Sequence, residues 1–180
     1  MPLPLGHAVI GLTIHDAVTK EESALKKWRV ACCIVILSNL PDVDVLLGLL
    51  FVGNGNAFHR GPTHSVLFAL VMALVMSRAS KFYAPIPRMG FTLSFLLILS
   101  HVVADLLFTP SSVSLFWPLE VTWSSGYSGW VEVISTALLD HGQDLGIIAV
   151  CAGFMFLRRF AKHCSDRIAG LPASWKIFLR

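Results

Sequence analysis

Five long apolar runs separated by short polar stretches organise the chain: residues 7–18, 30–52, 64–77, 90–108 and 131–157. A bilayer span needs about 20 helical residues, so the second, fourth and fifth runs reach across alone. The first and third, with 12 and 14 residues, must tilt, extend into flanking polar turns, or re-enter. The runs are continuous rather than alternating and mix Leu, Ala and Met with Val and Ile. That is a helical pattern, unlike barrel strands with their ~10 alternating residues. The expected fold is all-α, a polytopic membrane bundle of about five helices, some short or broken. Residues 1–161 form one membrane-embedded unit in this reading and 162–180 a basic cytoplasmic tail. The first run does not read as a signal peptide, since nothing before Lys20 is basic and no small-residue cleavage site follows.

Composition agrees with the pattern. Of 180 residues, 55% are hydrophobic and 14% charged, against ~25% charged in soluble chains, and the mean hydropathy is +0.70. So few charges cannot cover a water-facing surface. The net charge of +3 is no sign of a nucleic-acid partner, because the basic residues form no single patch. Four of the 14 lie between runs one and two, three between runs three and four, and six after run five; the exception is Arg60, between runs two and three. The positive-inside rule then makes the thirteen cytoplasmic, with the N-terminus, residues 53–63 and residues 109–130 outward. The last of these loops carries Trp117, Trp123, Tyr127 and Trp130, rings suited to the headgroup layer. Cys32, Cys33, Cys151 and Cys164 show no zinc spacing and read as small apolar filler.

Ionisable groups inside spans are expensive and mark functional sites or need partners. Here they gather at one depth: His7, Asp42, Asp44, His59, His64, His101 and Asp105 all fall in the outer half. His101 and Asp105, at i and i+4, share a helical face. Pro41 interrupts the second run beside two carboxylates, removing a backbone hydrogen bond there. In regular helix Asp42 and Asp44 would point roughly 200° apart, so both face one ion only if the backbone unwinds. Residues 59–65, His-Arg-Gly-Pro-Thr-His-Ser, place two imidazoles and a guanidinium around a break suited to a helix start. Imidazoles with carboxylates suit zinc, or alternatively manganese, as one or two divalent ions. Arg60, the one outward arginine, implies an anionic ligand such as a phosphate if its fork is unpaired, and a plain ion pair with a carboxylate such as Glu120 if not. Ser65 lacks a dedicated base and is a poor nucleophile. Asp140, His141 and Asp144 either line a second polar pocket or break the fifth run at Gly142. His15, Asp16 and His163 are expected to meet headgroups at the cytoplasmic side.

Gly6-His7, Leu40-Pro41-Asp42-Val43-Asp44, residues 59–65, Ser100-His101 through Asp105, Thr109-Pro110 and Trp117-Pro118 resemble, in order, the motifs of the YdjM-like inner-membrane metal-dependent hydrolases. The resemblance covers residues 6–119. Glu132 resembles a glutamate often found in that family after the Trp-Pro motif, whereas Val45 stands where many members have histidine. A fainter similarity links the succession of His, Asp, His and HxxxD to zinc phospholipase C and the related single-strand nucleases. The resemblance implies a metal-dependent hydrolase of the cytoplasmic membrane. With the site near the outer leaflet, the expected substrate is a phosphoester in a lipid or lipid-linked molecule. His7, Asp42, Asp44, His59, His64, His101 and Asp105 would hold metal, with Arg60 and Glu132 catalytic. The alternative from another class is a non-enzymatic metal-binding membrane protein, an ion carrier or a metal-stabilised scaffold.

Overall fold

A computed structural model of the chain describes residues 4–19, 27–109, 111–119, 121–123 and 143–169. Among these residues there are six α-helices and no strand: α1 (Pro4–Val18), α2 (Trp28–Ser38), α3 (Val43–Val52), α4 (Val66–Phe82), α5 (Phe91–Phe108) and α6 (Gln143–Ala169). The expected second span is two helices. Pro41 brings no N–H to the ladder, so α2 stops at Ser38, a 3-10 turn spans Leu40–Asp42, and α3 leaves at 59°. Asn39 closes α2 by giving its backbone N–H and its side-chain amide to the Val35 carbonyl. The far end of α3 closes on Gly53, whose φ of 69° is left-handed, with Asn54 N–H bonded to the Gly48 carbonyl.

The first and third runs become helices of 15 and 17 residues by drawing in flanking turns. Ser65 caps α4, its hydroxyl accepting from Phe68 N–H at 3.1 Å and donating to the Pro62 carbonyl at 2.7 Å. Among the described residues, α5 alone is a single helix long and apolar enough to cross a membrane, and the bent α2–α3 pair passes the same measure together.

The core lies between α2, α4 and α5, where Ile34 and Leu37 meet Ala69, Leu97 and Ile98. Small Ala69 and Ala73 bring α4 close to α5. α1 packs on α2, α5 and α6, and at Gly11 a Cβ would stand 1.9 Å from the Ser38 hydroxyl, so only glycine permits that approach. The outer faces are apolar: Leu46, Leu49 and Leu50 of α3, Leu70 and Leu74 of α4, and Phe154 and Phe156 of α6 are all exposed. A belt of that extent suits a lipid surround.

Three expectations change. α6 does not end with the apolar run at Leu157; it continues through the basic stretch to Ala169, so residue 161 falls inside a helix. There Arg158 and Arg159 pair with Asp16 of α1 at 3.3 and 2.8 Å, an ion pair where headgroup contact was expected. His15 is buried rather than headgroup-facing, 4% exposed, since α6 packs along α1 at that end. His163 is exposed. Asp140, His141, the tail's Trp175 and Phe178, and the aromatic residues Tyr127 and Trp130 lie outside the described residues.

Candidate metal centre

Four segments converge beside the core: the start of α1, the α2–α3 break, the turn before α4, and the C-terminal half of α5. They bring together all seven residues expected to hold metal, and Arg60 with them. Glu132 and Glu120 lie outside the described residues.

The two histidines at the centre have their ring protons assigned by their partners. His101 Nδ1 lies 2.8 Å from the Ser38 carbonyl, which can only accept, so Nδ1 carries the proton and Nε2 the lone pair. His64 Nδ1 lies 3.0 Å from Asp44 Oδ2 and donates likewise. In the neutral form that metal ligation requires, the Nε2 atoms carry lone pairs and face carboxylate oxygens: His101 to Asp42 Oδ1 at 3.2 Å, His64 to the same oxygen at 3.6 Å, and His64 to Asp105 Oδ2 at 3.7 Å. His7 stacks on His101 with centroids 3.7 Å apart and puts Nε2 3.5 Å from Asp105 Oδ1.

Lone pair against lone pair is repulsive and, in a buried site, costly. Yet His7 Nε2, His64 Nε2, His101 Nε2, Asp42 Oδ1 and Asp105 Oδ1 are all buried without a hydrogen-bond partner among the described residues. These atoms fall into two groups with the spacing to hold an ion, His7–His101–Asp105 and Asp42–His64–His101, and a cation within a group removes the conflict there. Donors bound at about 2.0–2.2 Å around a tetrahedral ion stand roughly 3.4 Å apart, which the 3.2–3.7 Å separations match. The charge balance agrees. With the histidines neutral, three carboxylates and the Arg60 guanidinium leave two negative charges, the charge of one divalent ion. The donor set therefore fits such an ion.

Asp44 stands behind this set. Its Oδ1 accepts from His59 Nδ1 at 3.1 Å, and its Oδ2 accepts from Arg60 N–H at 3.2 Å, from the Thr63 hydroxyl and from His64 Nδ1. With both oxygens so engaged, it orients two histidines, as carboxylates behind metal-binding imidazoles commonly do. His59 is left with a buried, unpartnered Nε2, so Asp44, His59 and His64 also form a group with the spacing to hold an ion.

Arg60 adopts a φ of 66°, rare for a residue with a Cβ. The roughly 1–3 kcal/mol of strain is offset by three anchors. Its N–H meets Asp44, its carbonyl accepts from Ser114 N–H at 3.2 Å, and its Nε donates to Asp105 Oδ2 at 3.3 Å. The guanidinium is therefore paired with Asp105 among the described residues. The loop after α5 holds this corner, with Leu115 accepting from Val66 N–H and Val113 bridged to Trp123.

The sequence did not point to Ser38, whose backbone carbonyl sets the His101 tautomer, or to Thr63 and Ser114 as supports. A carbonyl carries no residue signature, and only the adjacency of Thr63 to His64 hinted at its role. Ser65 is committed to capping α4.

All-helical packing among the described residues, an apolar belt and a buried histidine–aspartate cluster define the class: a helical protein of the membrane whose histidines and aspartates have the spacing to hold a metal ion. The chain belongs to the YdjM inner membrane protein family, whose model matches residues 1–165, as the sequence motifs implied. It is 35% identical over 165 residues to inner membrane protein YbcI of Escherichia coli (strain K12), covering 87% of this chain and 91% of that protein. It is 34% identical over 102 residues to inner membrane protein YdjM of the same strain, covering 51% of this chain and 50% of that one, and equally to YdjM of Shigella flexneri. These names state a location and no activity. No solved structure matches the chain.

Proposed function

We propose that the protein is a multi-pass enzyme of the inner membrane, a metal-dependent phosphoesterase acting on a phospholipid or lipid-linked phosphate at the outer half of the bilayer. The observation that carries this reading is the meeting of unpartnered imidazole and carboxylate lone pairs across 3.2–3.7 Å. His7, His101 and Asp105, or Asp42, His64 and His101, would hold an ion, zinc first and manganese as the alternative, with His59 and Asp44 available beside His64 to a second. When bound, the ion supplies Lewis-acid charge and lowers the pKa of a water.

The chain's own residues do the remainder. Arg60, fixed at the cluster's edge, presents guanidinium charge toward phosphoryl oxygens as negative charge grows on them. Asp105 holds that guanidinium in place through Nε. Asp44 keeps the proton of His64 on Nδ1 and so holds Nε2 open. Glu132, by sequence position after the Trp-Pro motif, would take or deliver a proton. The asymmetry of lysine and arginine along the chain supports a site facing the extracytoplasmic side.

A second reading, a metal-stabilised scaffold or ion carrier, is favoured by the complete burial of His7, His64, His101 and Asp105. Arg60→Lys separates the two, since it keeps the charge and loses the planar fork. For the enzyme, detergent-purified Arg60→Lys retains metal and melting temperature while headgroup or phosphate release falls ~10- to 1000-fold. Tightly held metal with no turnover by the wild type on a panel of phosphatidic acid, phosphatidylglycerol and phosphatidylethanolamine supports the scaffold.

A further inference from the structure

The break at Pro41 does more than turn two carboxylates. Because α3 leaves α2 at 59°, the two helices splay, and between them opens a groove of about 450 Å³ lined by Ile36, Asn39, Leu40, Asp42, Val43 and Leu46. Its walls are apolar. Its polar groups are Asp42, one of the oxygens facing His64 and His101, and Asn39, whose buried side-chain oxygen has no hydrogen-bond partner among the described residues.

Burial identifies the groove as an approach to the site. The Asp42 side chain is 18% exposed, against 3% for Asp44 and 0% for Asp105, His64 and His101. The centre therefore meets the surface on this flank through Asp42. The outer lip of the groove, Ile36 and Leu46, is exposed and runs directly into the apolar belt of α3. A water-soluble phosphoester would have to cross that belt to reach Asp42. A hydrocarbon chain would be at home in it.

We propose that this groove is the lateral entrance of the site and its chain-binding subsite. One acyl or prenyl chain of a bilayer lipid lies between Ile36, Leu40, Val43 and Leu46, with its phosphate toward the cation that Asp42 would help to hold and a headgroup or glycerol hydroxyl donating to Asn39 Oδ1. This rests on the phosphoesterase reading for the chemistry but not for the binding. The walls select for a chain, and the break in the helix places the chain's polar end at the donors.

The test uses the full zinc-loaded chain and two substrates sharing one headgroup, a long-chain phospholipid and its short-chain, water-soluble analogue. Leu46→Trp and Ile36→Trp narrow the groove from exposed positions, and Leu46→Ala, which cannot overpack, loosens it. The expected result is a KM for the long-chain substrate raised on the order of tenfold by either tryptophan and less by the alanine, with kcat/KM for the short-chain analogue and metal content unchanged. Equal effects on both substrates, or none on either, overturn the subsite.

If the wild type turns over neither substrate, the phosphoesterase reading fails and the binding arm decides. Mass spectrometry of protein purified from membranes in mild detergent should then find a retained lipid on the wild type that the Ile36→Trp/Leu46→Trp chain loses at unchanged helix content. Equal retention by both, or no lipid on the wild type, overturns the groove as well.

Discussion

His101 gives its Nδ1 proton to the carbonyl of Ser38, 2.8 Å away on the neighbouring helix. That bond ties the tautomer of a buried imidazole to the point where α2 ends, and the α2 terminus is itself set by Asn39 and Pro41. A backbone group thus decides which nitrogen of His101 faces Asp42.

His101→Ala removes one of the central donors, and His64→Ala or Asp105→Ala removes another, so each should lower bound metal together with any activity. Elemental analysis of detergent-purified protein is the measurement, and full retention in all three would take them out of the shell. His15→Ala should keep the metal but lower the melting temperature, because His15 is buried at the other end of α1.

Asp44→Asn keeps the shape of the orienting group but replaces one carboxylate oxygen with an N–H donor that meets the donors of His59, His64 or Arg60. Metal affinity should fall about 10- to 100-fold while some binding survives, as expected of a group behind the ligands. Competition with a chelator of known affinity reads this directly. Loss as complete as that in Asp42→Asn would make Asp44 a ligand.

Gly11→Ala should destabilise by roughly 1–3 kcal/mol through overpacking, since the new methyl would meet the Ser38 hydroxyl. The same push displaces the Ser38 carbonyl from His101, so melting temperature and metal affinity should fall together. A thermal melt with and without added zinc checks both; a lowered melting temperature with unchanged affinity would uncouple the two.

Reporters fused after residue 27, 83 or 180 should read cytoplasm and one near residue 124 the outside, from the distribution of lysine and arginine. An outside signal from the 78–88 loop would move the site to the cytoplasmic face.

Much of the centre was legible because its signals are local. Pro41 marks the break, and the i, i+4 spacing puts His101 and Asp105 on one buried face. Long-range pairing was not. Arg60 reads as the lone outward arginine, yet one of its partners, Asp105, lies 45 residues away, and spacing cannot say which carboxylates it meets. The end of α6 was misplaced for a different reason. Hydropathy stops a helix where charge begins, but the backbone ladder is indifferent to charge, and Arg158 and Arg159 extend it because Asp16 awaits them.

That last pairing also sets an order of assembly. Asp16 and Arg158 are 142 residues apart, and at about 5–20 residues per second of synthesis α1 waits on the order of ten seconds for α6. His7 rides on α1. Until α6 arrives to hold α1 against the bundle, the histidine that stacks on His101 is held only by the contacts of α1 with α2 and α5. The centre should therefore become fully able to retain its ion only after α6 has been made, and a chain stopped short of α6 should insert without gaining that grip.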